Sequence, residues 1–267
     1  MIELFLGLLL VPSMVIWIWE KLVSRMSMMA WGVYRATGII GTPIHEMAHA
    51  LTCLLFGLRI TSISLYSPNV ITGSMGFVRF RYSPGNIRHA VGMALQGIAP
   101  LIAGGLIVVL VLGTYYAVEA PNQGVVGLSL WIGQVAMLSL GALLDQATSG
   151  LAGALVACLL LMIAMHAIPS WADIKTGLKG LIGVVVLGGC LVLAVEGLWA
   201  AGTSLVGANG AQYLEKALLG AEWALICAVF GAVSVVTLAV AGSVVFVLAP
   251  STVWYCWDWV RGARGGL

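Results

Sequence analysis

A chain of 267 residues in which 61% are hydrophobic and only 8% charged cannot clothe a soluble globule in polar surface, and its long apolar runs place it in the membrane class. The formal net charge of +2, carried by scattered basic residues without a polybasic run, argues against a nucleic-acid partner. Five cysteines, Cys53, Cys158, Cys190, Cys227 and Cys256, stand far apart without paired spacing and read as small packing residues.

Seven apolar segments are long enough to span a bilayer: Ile2 to Trp19, Gly38 to Phe56, Ala90 to Tyr116, Val126 to Leu144, Leu151 to Ile168, Leu178 to Thr203 and Glu222 to Leu248. Met1-Ile2-Glu3 lacks the basic region of a secretory signal and no small-residue cleavage site follows, so the first span is expected to be retained. The fourth and fifth segments are separated only by Asp145 to Gly150, which leaves open two spans or one broken, re-entrant element. Between the second and third, the stretch from Arg59 to His89 alternates with period two in Ser62 to Leu65 and in Phe77 to Tyr82, with turn formers between, and predicts a β-hairpin. Taken alone it would be an interfacial flap anchored by aromatics and arginines. Trp254 to Trp259, followed by Arg261 and Arg264, suits an aromatic and basic anchor at the membrane surface. The expected fold is an all-α polytopic membrane protein: one domain over residues 1–267, about seven transmembrane helices, and a small hairpin after the second. The sequence does not say which membrane holds it.

Within the second apolar segment lies His45-Glu46-Met47-Ala48-His49, an HExxH motif. Helix positions four apart share a face, so His45 and His49 can offer imidazole nitrogens to one metal while Glu46 sits beside them as a general base. Three polar groups at membrane depth cost several kcal/mol together unless they are buried in protein or bind something. A catalytic zinc needs a third protein ligand and one open position. Candidates are Asp145, His166, Asp173, Glu196 and Glu222. Asp173 is favoured because Pro169 breaks the preceding helix, as happens where a span opens around a site.

The run from Gly41 to Leu51, continuing through Phe56-Gly57-Leu58-Arg59-Ile60, resembles the zinc-binding helix of site-2 protease-type intramembrane metalloproteases. That family follows this helix with a β-structured segment, as Ile60 to Tyr82 could supply. It then has a span with a Gly-Pro and small-residue motif, which Gly97 to Gly104 resembles, and an Asn-x-x-Pro segment ending in Asp-Gly that gives the third ligand. The likeness runs from Gly38 to about Gly180, with additional spans over about 178–248. Here His166 stands at the asparagine, Asp173 lies one residue closer to the proline, and Ile174 replaces the glycine. His166 is thus an alternative ligand or an orienting group. Because the family has one span between its two metal-binding segments where two are counted here, Asp145 stands in reserve.

The resemblance implies Zn2+ held by His45, His49 and Asp173, with Glu46 as the catalytic base in hydrolysis of membrane-protein substrates. Two other classes stay open: a non-catalytic scaffold of the same fold, as a homo-oligomer or in a larger membrane complex, and a proton- or metal-coupled transporter.

Overall fold

The computed structural model describes residues 28–69, 73–83, 85–122, 124–183 and 208–264, with positions 14 and 18, and these residues are mostly helical. Helix α1 covers Met28–Phe56, beginning well before the apolar segment that starts at Gly38. The strands β1 (Arg59–Ser64) and β2 (Phe77–Arg81) follow, then α2 (Ile87–Gln96), α3 (Ala99–Val111) and a 3-10 turn at Thr114–Ala117. The chain continues through α4 (Gly124–Thr148), α5 (Leu151–Ala167), α6 (Trp171–Gly183), α7 (Ala208–Ser243), a π-helical turn (Val244–Leu248) and α8 (Ala249–Arg264). Pro250 lacks an N–H and crowds the carbonyl one turn back, and the widened turn before it absorbs that conflict.

Among the described residues three helices are long and apolar enough to cross a membrane: Ala30–Phe56 of α1, all of α4, and Glu222–Trp259 across α7 and α8. Two further pairs, α2 with α3 and α5 with α6, are bent by 60° and 59°, and bring the number to five if each pair is one span. Three to five of the expected seven spans therefore fall among the described residues. Ile2 to Trp19 and most of Leu178 to Thr203 lie outside the described residues, and Ala90 to Tyr116, expected as one span, bends at Gly97-Ile98. Pro100 suits the restart of α3, because a proline in a first helical turn forfeits no hydrogen bond. Asp145 to Gly150 does not join one broken element: α4 and α5 are two helices that meet at Gly150, whose φ of 130° strains any residue with a side chain.

The interior is packed by α3, α4, α5 and α7, with Leu101, Val108, Leu143, Leu160, Ala164, Val235 and Leu238 in one cluster. A Cβ on Gly105 would stand 2.9 Å from the Cα of Gly231, so α3 and α7 touch backbone to backbone. Small residues allow this approach, which is how helices gain packing energy where lipid offers no hydrophobic drive.

α1 is two-faced. Ile39, Ile40, Met47, Leu51, Leu54 and Leu55 are exposed, while Thr42, Glu46, His49 and Cys53 are buried on the opposite stripe at helical spacing. The helix ends in a glycine-terminated cap: Gly57 has φ 73°, its N–H reaches Leu54 O, and Leu58 N–H reaches Cys53 O at 2.8 Å.

The expected hairpin forms. β1 and β2 pair antiparallel with Arg59 opposite Arg81 and Ser64 opposite Phe77, and a bulge falls between Ile60 and Ser62. The hairpin does not stand away from the helices but lies along α1. Gly76 backs onto the Glu46 side chain, Met75 packs on Gly38, and Tyr66 Oη donates to Arg35 O at 2.8 Å. From Arg35 to Phe56 α1 rises about 32 Å, and the eight-residue run from Arg59 to Tyr66 plus one tyrosine side chain reaches about 30 Å, so the two lie side by side over that length.

Candidate metal centre

His45 and His49, one turn apart on α1, turn their Nε2 atoms toward each other at 3.2 Å. Asp173 comes from the first turn of α6, with Oδ1 3.1 Å from His49 Nε2 and Oδ2 3.5 Å from His45 Nε2. One ligand atom from each of the three falls within 4.8 Å of the others, and no other such group occurs among the described residues. For Zn–N bonds of about 2.0–2.1 Å at tetrahedral angles, ligand atoms lie about 3.3 Å apart. The observed separations bracket that value.

Hydrogen bonding fixes the tautomers. His45 Nδ1 lies 2.7 Å from the carbonyl oxygen of His166, and His49 Nδ1 lies 2.6 Å from Gln96 Oε1. Both partners are pure acceptors, so both Nδ1 atoms carry hydrogen, and in the neutral rings both Nε2 atoms are left with lone pairs. Two bare lone pairs and a carboxylate facing one another repel unless a cation lies among them. The donor set and spacing suit a metal ion, with each histidine held by an outer partner as metal-binding histidines commonly are.

One break in the chain supplies both the third ligand and the anchor of the first. α5 stops at Ala167, Ile168 turns extended with ψ 123°, and Pro169 has no N–H. In a continuous helix Ser170 N–H would take the carbonyl of His166. Instead it donates to Asp173 Oδ2 at 2.7 Å, as does Ser170 Oγ at 2.7 Å, while Asp173 N–H returns to Ser170 Oγ at 3.3 Å. This capping box starts α6, aims the Asp173 carboxylate, and leaves His166 O free for His45.

His166 thus serves through its backbone. Its ring packs on Tyr34 with centroids 4.4 Å apart and its Nε2 lies 3.0 Å from Thr37 Oγ1, outside the ligand group. Thr37 Oγ1 itself donates to Tyr34 O, so the histidine nitrogen is the donor in that pair. Asp145 stands exposed near the end of α4, also outside the group; Glu222 is not in it, and Glu196 lies outside the described residues. Glu46 is buried beside the two histidines, under Gly76, where a Cβ would stand 2.9 Å from Glu46 Oε1. Only a glycine lets the hairpin lie this close to the carboxylate. Cys53 Sγ, fully buried, accepts from Gln96 Nε2 at 2.8 Å and is not a ligand here.

Sequence reasoning missed Gln96. Its side chain is buried, with Nε2 also donating to His49 O at 2.8 Å, and so grips His49 from both ring and backbone. The available signal was a lone amide inside an apolar segment, which needs partners at membrane depth. If the group holds a metal ion, Gln96→Leu is expected to weaken its binding by about 10- to 100-fold, with Gln96→Glu recovering most of it because a carboxylate still accepts from Nδ1. Competition with a chromogenic chelator measures both.

What brings Asp173 and Gln96 together is a crossing of α6 over α2. A Cβ on Gly97 would stand 2.8 Å from Gly177 Cα, and one on Gly180 would strike Ala94 N and Ala90 O. Asp173 lies one turn before Gly177, and Gln96 is next to Gly97. Comparison with protein-family models, with curated proteins and with solved structures finds no match to this chain.

Proposed function

We propose that this chain is a zinc-dependent protease acting on membrane-spanning substrates. The observation that carries the proposal is the convergence of two tautomer-fixed histidine nitrogens and one carboxylate beside a buried glutamate, in the middle of a helix long enough to cross the bilayer. Glu46 lies ten residues, about 15 Å, before the end of α1, a distance that matches half of a hydrocarbon layer about 30 Å thick. Zinc, when bound there, supplies water that ionises near neutral pH and polarises a substrate carbonyl. His45, His49 and Asp173 hold the ion, His166 O and Gln96 hold the rings, and Glu46 takes the water's proton and returns it to the leaving amine.

The hairpin gives this chemistry its access. A two-stranded sheet keeps an unpaired edge on each strand, and open backbone at membrane depth is tolerated only against protein or a water-filled cavity. Water beside Glu46 satisfies that condition and supplies the reaction. A substrate helix must unwind before its carbonyls can react, and an extended segment finds hydrogen-bond partners on the hairpin edge. The test is cleavage of labelled single-span peptides by zinc-loaded protein in nanodiscs. Cleavage by wild type that is lost in Glu46→Gln supports the proposal; a zinc-replete wild type that cuts none of a panel with helix-breaking residues at differing depths refutes it.

A further inference from the structure

Four arginines gather where α1 ends and α2 begins. Arg59 and Arg81 are direct cross-strand partners, Arg79 is one position pair further along β2, and Arg88 lies in the first turn of α2. All four are exposed. Like charges set opposite each other on a sheet destabilise it, and no acidic residue answers them: from Met47 to Val118 the sequence has no Asp or Glu, and among the described residues none of the four forms an ion pair. Two have local partners. Arg79 lies over the Phe77 ring at 4.7 Å, and Arg88 Nη2 donates to Leu55 O at 2.7 Å, which fixes its guanidinium beside Gly57. Arg59 and Arg81 are left as an unanswered pair with Arg88 close by.

We propose that Arg59, Arg81 and Arg88 bind the phosphate of an anionic phospholipid at this end of α1. The occupant follows from position. The hairpin lies along α1 with its open end beside Phe56, so the arginines stand at the end of the helix that is long and apolar enough to cross a membrane. Immediately below them Leu54, Leu55 and Ile87 are exposed apolar side chains suited to acyl chains, and Tyr82 adds an exposed ring at the boundary. Phosphate oxygens accept from guanidinium forks in pairs and remove the repulsion between Arg59 and Arg81. The bound lipid then braces the open end of the strand pair whose Gly76 backs onto Glu46. This site does not depend on whether the chain cleaves peptides.

The test uses full-length protein in mixed micelles carrying either phosphatidylglycerol or phosphatidylcholine, with melting followed by tryptophan fluorescence and binding by titration of a fluorescent phosphatidylglycerol. Wild type is expected to bind the labelled lipid saturably and to melt higher with phosphatidylglycerol. Arg59→Gln with Arg81→Gln is expected to lose about 25-fold in affinity, at roughly fivefold per arginine from about 1 kcal/mol each, whereas Lys216→Gln loses little. Relief of the like-charge pair reverses the order in phosphatidylcholine, where the double variant melts at or above wild type; that result also shows it folded. Inorganic phosphate at equal concentration should not displace the label. Equal binding by wild type and double variant, displacement by free phosphate, or stronger displacement by a soluble poly-glutamate peptide would each overturn the assignment to lipid.

Discussion

On the proposed proteolysis, Glu46→Gln is expected to lower peptide hydrolysis by about 10²- to 10⁴-fold, the range over which a positioned general base acts, while zinc content stays at the wild-type level. The substitution is nearly isosteric, so the contact with Gly76 survives and the hairpin keeps its place. Glu46 is not among the three residues whose atoms converge, so its loss leaves the donor set whole. The amide cannot take a proton from water at neutral pH. Rate and metal content therefore separate in this variant. Equal loss of both would mean that Glu46 supports the metal group instead of the proton transfer, and unchanged hydrolysis would remove it from the mechanism.

Gly177→Leu produces the second large effect, and it acts from outside the ligand group. A Cβ on Gly177 would stand 2.9 Å from Gly97 Cα and 3.3 Å from Ala94 O, both backbone atoms that cannot rotate aside. α6 must lift from α2, which carries Asp173 away from His49 and loosens Gln96 behind it. Overpacking of this kind costs about 1–3 kcal/mol of stability. Affinity for the proposed zinc is expected to fall by at least about tenfold, since a carboxylate moved by even 1 Å leaves coordinating distance. Gly133→Leu is the matched control, because no atom lies within 4 Å of a Cβ there. Chelator competition and thermal melting of the two variants decide it: if Gly177→Leu binds zinc like Gly133→Leu, the crossing does not set the site.

His45, Glu46 and His49 were legible as a group because their relation is local: helical spacing alone puts them on one stripe, and α1 places them so. Asp173 was legible for a similar reason, since Pro169 marks a helix break in any context, although the Ser170 capping box that aims the carboxylate was not read from the same run. Gln96 could not be reached that way. Its partner is 47 positions back, and the pairing exists only because glycines let α2 and α6 cross closely. His166 was singled out for its ring, whereas its carbonyl faces His45; a sequence cannot tell which atoms of a residue beside a break will turn inward.

The hairpin was foreseen from period-two alternation, but its course along α1 depends on Tyr66, Met75 and Gly76 meeting residues far back in the chain. Apolar length is a poor guide to where a span bends. Ala90 to Tyr116 has length enough for one straight helix, yet bends by 60° at Gly97-Ile98, and Pro169 marks the break after Leu151 to Ile168 without giving the 59° angle at which α6 follows. Hydropathy averages over such bends, while packing decides them.

The most direct test of the metal centre is the zinc stoichiometry of the purified protein beside His45→Ala and Asp173→Ala, measured by inductively coupled plasma mass spectrometry after dialysis against limiting free zinc. One zinc per chain is expected for wild type, with loss of most of it in each variant, because each removes one of three converging donors. Wild type without zinc under these conditions, or Asp173→Ala retaining a full equivalent while His45→Ala does not, would contradict the site described here.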